Sequence, residues 1–125
     1  MIITHLSKFR VQSGRQCHKR LWLELNQPDT AQWSRAVQVR LYEGTRFGEL
    51  ARDLMGGGVL IAADHRHMRE ALAETRAALG RPLGEIPMLF EPAFSHENVR
   101  VRVDAFKCGE QGDTLIEVKS TVCSA

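Results

Sequence analysis

Two runs near the end of the chain constrain its fold most. The first, Val99-Arg-Val-Arg-Val-Asp-Ala-Phe106, alternates strictly. Val99, Val101, Val103 and Ala105 fall on one face, and Arg100, Arg102, Asp104 and Phe106 on the other. Alternation with period two is the signature of a half-buried strand. The second run, Thr114-Leu-Ile-Glu-Val-Lys119, places Leu115, Glu117 and Lys119 on one face for the same reason. The link Lys107 to Asp113 contains Gly109 and Gly112, as suits a hairpin loop with positions at positive φ. If the runs pair, Asp104, Glu117 and Lys119 converge on one polar patch. Two carboxylates and an ammonium on a rigid sheet are the parts of a divalent-metal site with a positioned cation beside it.

The preceding sequence supplies helices and further strands. Ser7 suits a helix N-cap, because its hydroxyl can accept from the free N–H groups of a first turn. Phe9, Val11, Cys17, Leu21, Trp22 and Leu25 then form a roughly helical apolar stripe, which Asn26-Gln27-Pro28 stops. A longer helical pattern spans about Ala31 to Leu54. Gly44 and Gly48 lie on one face of it, which suggests the approach of another backbone or a break near Gly44. Gly56-Gly57-Gly58 lacks the spacing of a nucleotide-binding loop and reads as a turn. Val59 to Ala62 reads as a short strand. Asp64 suits the cap of a helix from His65 to Leu79 with Met68, Leu72, Thr75 and Leu79 inward, and Gly80 ends it. His65 and His67 fall on different faces of that helix and read as solvated rather than as a metal pair. Ile86 to Phe94 is expected as a strand that Pro87 and Pro92 confine to an edge or a bulge. Late strands close in sequence should pair antiparallel. The resulting expectation is α/β, with helices flanking a small mixed sheet whose late strands are antiparallel.

A length of 125 residues fits one domain, 1–125, with one core. The formal net charge of +2 does not by itself point to nucleic acid. Its distribution says more: Lys8, Arg10, Arg15, Lys19 and Arg20 all precede Glu24, the first acidic residue. That segment is either a phosphate-facing surface or a solvated basic helix face. No secretory h-region follows Met1 and no long apolar run occurs, so neither export nor a membrane span is expected. Cys17, Cys108 and Cys123 are odd in number and widely spaced, which argues against a disulfide framework and for a reducing, cytosolic compartment.

Asp104 followed by Glu117-Val118-Lys119 resembles the bipartite PD-(D/E)XK nuclease signature. Further blocks sharpen the likeness. Ser7-Lys8-Phe9 with Gln16-Cys17-His18-Lys19-Arg20-Leu21-Trp22 resembles the N-terminal helix of RecB-like nucleases, a group that includes the CRISPR-associated exonucleases and a bacterial family described only as a domain of unknown function. Glu43-Gly44-Thr45-Arg46-Phe47-Gly48-Glu49-Leu50-Ala51 resembles a second helix of that family. Phe90-Glu91-Pro92-Ala93-Phe94, Val101-Arg102-Val103-Asp104 and Ile116-Glu117-Val118-Lys119-Ser120-Thr121 resemble its later blocks, in the same order.

The resemblance implies a restriction-endonuclease-like core and metal-dependent hydrolysis of DNA. Asp104 and Glu117 would bind Mg²⁺ or Mn²⁺ with the Val118 carbonyl, and Lys119 would orient the attacking water and steady the phosphate. Glu49 or Glu91 would supply a further carboxylate, since the histidine that CRISPR-associated relatives carry near Gly48 is absent. Pro92, directly after Glu91, could turn that strand away from the metal. On such a nuclease the cations picked out by their charge, Lys8, Arg10, Arg15, Lys19, Arg20 and Arg102, are the candidates to face the DNA. Cys17 matches the first cysteine of an iron–sulfur cluster in some relatives, but one cysteine cannot hold a cluster of four ligands, so no cluster is expected and Cys17 reads as a small core residue. The family module continues past the ExK strand, whereas only Ser120 to Ala125 follow here. The expectation is therefore an incomplete module, either a fragment of a longer protein or a natural short form, with an open sheet edge, acting alone, as a homodimer or inside a larger helicase–nuclease or CRISPR-type assembly. A non-catalytic nucleic-acid- or protein-binding remnant of the same fold is the alternative, with Glu117 and Lys119 then a plain surface ion pair.

Overall fold

In the computed structural model, which describes residues 5–120, helices and two small sheets are mixed. Thr121 and Cys123 lie outside the described residues. The helices are α1 (Lys8–Gln16), α2 (His18–Asn26), α3 (Arg35–Leu54) and α4 (Met68–Leu79). The strands are β1 (Val59–Leu60), β2 (Leu89–Phe90), β3 (Ala93–His96), β4 (Val99–Arg102), β5 (Ala105–Lys107) and β6 (Thr114–Ile116). One sheet has the order β1-β2-β5-β6 and the other pairs β3 with β4. β1 and β2 run parallel with α4 as their crossover, and every other pair is antiparallel. This is the expected small mixed sheet with antiparallel late strands.

The local chemistry accounts for the ends of the elements. Ser7 caps α1 by accepting from the Arg10 N–H. The apolar stripe is not one helix: Cys17 is extended (φ −163°, ψ 121°) and divides α1 from α2. Cys17 is also exposed, so it is not the core residue expected. Pro28 opens a 3-10 turn, Pro28–Thr30, directly after α2. α3 starts later than its apolar pattern suggested, because Ser34 accepts from the Val37 N–H and fixes the cap there. Asp64 does not cap α4. Its carboxylate accepts from the Arg66 and His67 N–H groups and pairs with the His67 ring, closing a turn ahead of the helix. Leu79, expected inward, is exposed, and Ala71 and Thr75 are the buried positions of α4. At Gly58 an added Cβ would collide with the Met88 carbonyl, so the glycine allows the main chain to enter β1 beside β2.

The core lies between α4 and the sheets, around Ile61, Ala71, Leu89 and Ala93. Thr75 is its polar member: its hydroxyl donates to the Ala71 carbonyl at 2.7 Å and accepts from the Ala93 N–H at 2.9 Å. A buried amide is thereby satisfied where no strand neighbour supplies a bond.

The segments 89–96 and 99–107 form one hairpin that bends in the middle. Leu89 faces Phe106 and Phe90 faces Ala105 in one sheet, while Ala93 faces Arg102 and His96 faces Val99 in the other. The register is the same on both sides of the bend, so Glu91 falls opposite Asp104 and Pro92 opposite Val103. The Glu91 N–H donates to the Asp104 carbonyl and the Val103 N–H to that of Pro92, both at 3.1 Å. Pro92 has no N–H to return a bond, and Glu91 takes a left-handed φ of 57°. These two residues swing the chain from one sheet to the other. The single strand expected over Ile86 to Phe94, at an edge or a bulge, is therefore two strands, with β2 inside its sheet and the ladder interrupted at Glu91-Pro92. The alternating run Val99 to Phe106 is likewise split, at Val103-Asp104.

Candidate metal and phosphate site

The bend gathers the acidic residues. β5 and β6 pair with Ala105 opposite Ile116. Continuing that register by one residue sets Asp104 opposite Glu117. Glu91, Asp104 and Glu117 thus form one row across the ends of β2, β5 and β6. The main chain ties the row together, because the Val118 N–H donates to Asp104 Oδ2 at 2.6 Å. Lys119 Nζ donates to Glu117 Oε1 at 2.7 Å, so Asp104, Glu117 and Lys119 do converge. Pro92 does not carry Glu91 away. It bends the hairpin at the point where Glu91 stays beside Asp104.

A cleft of about 130 Å³ opens over Glu91 and Asp104, with Glu117 and Lys119 outside its lining. Gly44, Gly48, Ala51 and Arg52 of α3 form one wall, and Glu91, Asp104 and Val118 line the opposite side. α3 runs through both glycines without a break, and a Cβ added at Gly44 would meet nothing within 4 Å. Neither a kink nor a close backbone approach explains this pair. Their small size leaves the cleft wall open. Glu49, expected as a further ligand, is exposed on α3 and outside the cleft lining. Arg52, four residues after Gly48 on the same face, occupies the cleft instead. The spacing Gly44, Gly48, Arg52 was the signal that could have identified it.

The two ends of the row differ electrically. Burial pushes the Glu91 carboxyl up from its usual range; Arg102 opposes the shift, Asp104 adds to it and Arg52 opposes it. Glu117 is pulled down to about 2, first by the hydrogen bond from Lys119 and then by that from Lys8. Lys119 is raised in turn, chiefly by Glu117.

The expected DNA-facing cations separate into two sets. Lys8 reaches Glu117 Oε1 at 2.7 Å. Arg15 and Lys19 are exposed on α1 and α2. Arg20 pairs with Glu24 at 2.8 Å and bonds Gln16. Arg10 is turned inward and donates to the His5 carbonyl at 2.8 Å. Arg102 is only 17% exposed and donates to the Glu91 carbonyl at 3.0 Å, so it braces the bend and is not a surface cation.

The donors suit a hard cation. Asp104 and Glu91 line the cleft with Val118, whose N–H donates to the Asp104 carboxylate. Mg²⁺ binds through one or two carboxylates and completes its shell with water and substrate phosphate. Among the described residues no three His, Cys, Asp or Glu side chains lie together as a ready cage. Glu117 pairs with its two lysines and lies outside the cleft lining.

The chain matches no family model, no curated protein and no solved structure. Among the described residues no helix is long and apolar enough to cross a membrane.

Proposed function

We propose that this protein is a metal-dependent DNA nuclease of the RecB-like type on a restriction-endonuclease-like core. The observation that carries the reading is the row of Glu91, Asp104 and Glu117, with Lys119 on its last carboxylate. Phosphodiester hydrolysis needs water added to phosphorus as the P–O ester bond breaks and the leaving oxygen takes up a proton. Asp104, Glu91 and the Val118 carbonyl would hold a Mg²⁺ or Mn²⁺ ion, with Glu117 joining once it lets go of a lysine. Bound there, the ion would polarise a phosphoryl oxygen and lower the pKa of its water. Lys119 stays protonated, so its work is to orient the attacking water and offset the phosphate charge. Arg52 in the cleft adds a second fixed positive charge.

Cleavage of single- and double-stranded DNA with Mn²⁺ or Mg²⁺ tests the reading. The expected result is metal-dependent cutting that both Asp104→Ala and Lys119→Ala abolish. A folded chain that neither cuts nor binds Mn²⁺ would sink it. One observation favours a second reading, a non-catalytic binding remnant of the same fold: Glu117 is occupied by Lys8 and Lys119 together. DNA binding without any metal-dependent cutting would be its signature.

A further inference from the structure

Lys8 and Glu117 are 109 residues apart in the chain, yet they share a hydrogen bond at 2.7 Å. Backbone pairing of the N-terminal segment places Lys8 for that side-chain contact. The Leu6 N–H donates to the Asn98 carbonyl at 2.6 Å and the Arg100 N–H to the Leu6 carbonyl at 2.8 Å, pinning the chain along β4. Ser7 then caps α1, and Lys8 is the first residue of its first turn. Lys119 comes from the segment that follows β6 and meets the same Glu117 oxygen.

We propose that Lys8 and Lys119 together form a seat for one phosphate group of the DNA, with Glu117 as the template that holds their ammonium groups side by side. The proposal rests on the nuclease reading for the identity of the phosphate's source. Three observations carry it. Both nitrogens sit 2.7 Å from the same oxygen, Glu117 Oε1, so they can be no more than twice that distance apart. At such a spacing one phosphate can accept from both, since ammonium-to-oxyanion bonds run about 2.7–2.9 Å. Two ammonium groups on one carboxylate also leave that trio with one positive charge for an incoming anion, against which the neighbouring Asp104 carboxylate acts. Finally, the Lys8 and Lys119 side chains are 53% and 61% exposed, so the anion can reach them. A purely structural role explains this arrangement poorly, because exposed ion pairs contribute little to stability.

Glu117 has two states in this account. Bound to the lysines, it holds them in place and masks part of their charge. Released from them, it leaves both ammonium groups to the phosphate. Lys8 is therefore a phosphate-binding residue contributed by the first helix, far in sequence from the rest of the row.

The test is fluorescence anisotropy of a labelled single-stranded thymidine oligonucleotide, in EDTA, across a salt titration. Lys8→Gln is expected to weaken binding several-fold at low salt. It should also reduce the slope of log affinity against log salt by about 0.7–1, the loss of one phosphate contact. Lys8→Arg should restore both. Glu117→Gln keeps the Oε1 acceptor that aligns the lysines and removes the charge that masks them, so it should tighten binding, and adding Lys8→Gln should remove that gain. A folded Lys8→Gln chain, verified by circular dichroism, with unchanged affinity and slope would overturn the proposal. So would a Glu117→Gln chain that binds more weakly. Because the measurement excludes metal and cleavage, it separates the two claims. The phosphate seat can fail while Mn²⁺-dependent cutting persists, and cutting can fail while the seat persists.

Discussion

Glu91 and Glu117 stand at opposite ends of one row and are held there by different means. Glu91 is half-buried in a left-handed turn beside Pro92, and Arg102 donates to its carbonyl. Its position comes from the backbone of an interior hairpin. Glu117 is exposed and lies just beyond β6, set opposite Asp104 by the strand register, and its carboxylate is engaged by two lysine side chains. The same side-chain chemistry is consequently shifted in opposite directions, up by burial at one end and down by ammonium groups at the other. The buried end provides a fixed wall. The exposed end provides a carboxylate that can exchange partners.

Removing the residue that joins the two ends should have the largest effect. Asp104→Ala deletes the acceptor for the Val118 N–H and the central carboxylate together. We expect a loss of metal-dependent cutting of at least ~100-fold, on the scale of losing one strong transition-state contact. Initial rates with Mn²⁺ on single-stranded DNA measure it, and cutting within a few-fold of wild type would break the account of the row. Next is Thr75→Val, which leaves the Ala93 N–H beside the bend without its acceptor. Urea unfolding should show a loss of about 1–3 kcal/mol, the cost of an unpaired buried donor. The effect should centre on the Glu91 end and leave the Lys8 contact with Glu117 in place.

The two glutamates separate under pH. The Glu91 carboxyl is raised in the folded state, so the unfolded chain holds its proton less tightly. Charge at Glu91 therefore opposes folding at neutral pH, and the penalty lifts as pH falls through the raised value. Glu91→Gln should raise the urea midpoint slightly at pH 7, with the gain vanishing toward pH 4. Glu117 has the reverse sign. Its stabilisation is complete above its ordinary value of 4.5 and is lost as pH falls toward about 2. Glu117→Gln should give the smallest stability change, present at neutral pH, absent near pH 2 and reduced by salt. If both variants shifted with pH in the same direction, the contrast between the two ends would be wrong.

Much of this was legible in the sequence, for identifiable reasons. Ser7, Pro28 and the antiparallel pairing of the last strands were readable because each depends on local chemistry. The meeting of Asp104, Glu117 and Lys119 followed from period-two alternation and a glycine-bearing loop. The bend at Glu91-Pro92 was not legible as a bend, because a proline within an apolar run signals only that a ladder is interrupted. It does not say that the strand resumes in a second sheet with its register intact. Asp64 misled because an acidic residue ahead of a helix can close a turn as readily as cap the helix itself. Cys17 was assigned to the core from residue type, and the helix break it occupies exposes it. Arg102 was read as a DNA-facing cation from its charge alone, whereas its guanidinium is spent on backbone carbonyls inside the bend. Lys8 was chosen for its charge, but its partner lies at the far end of the chain, and no local pattern encodes that meeting.

The central claim is that Asp104 anchors a divalent-cation site on the row. Mn²⁺ titration followed by the loss of the free-ion electron paramagnetic resonance signal tests it most directly. The account predicts one bound Mn²⁺ per chain, with binding lost in Asp104→Asn and weakened in Glu91→Gln. Equal Mn²⁺ binding by the folded wild-type and Asp104→Asn chains, or none by either, would contradict it.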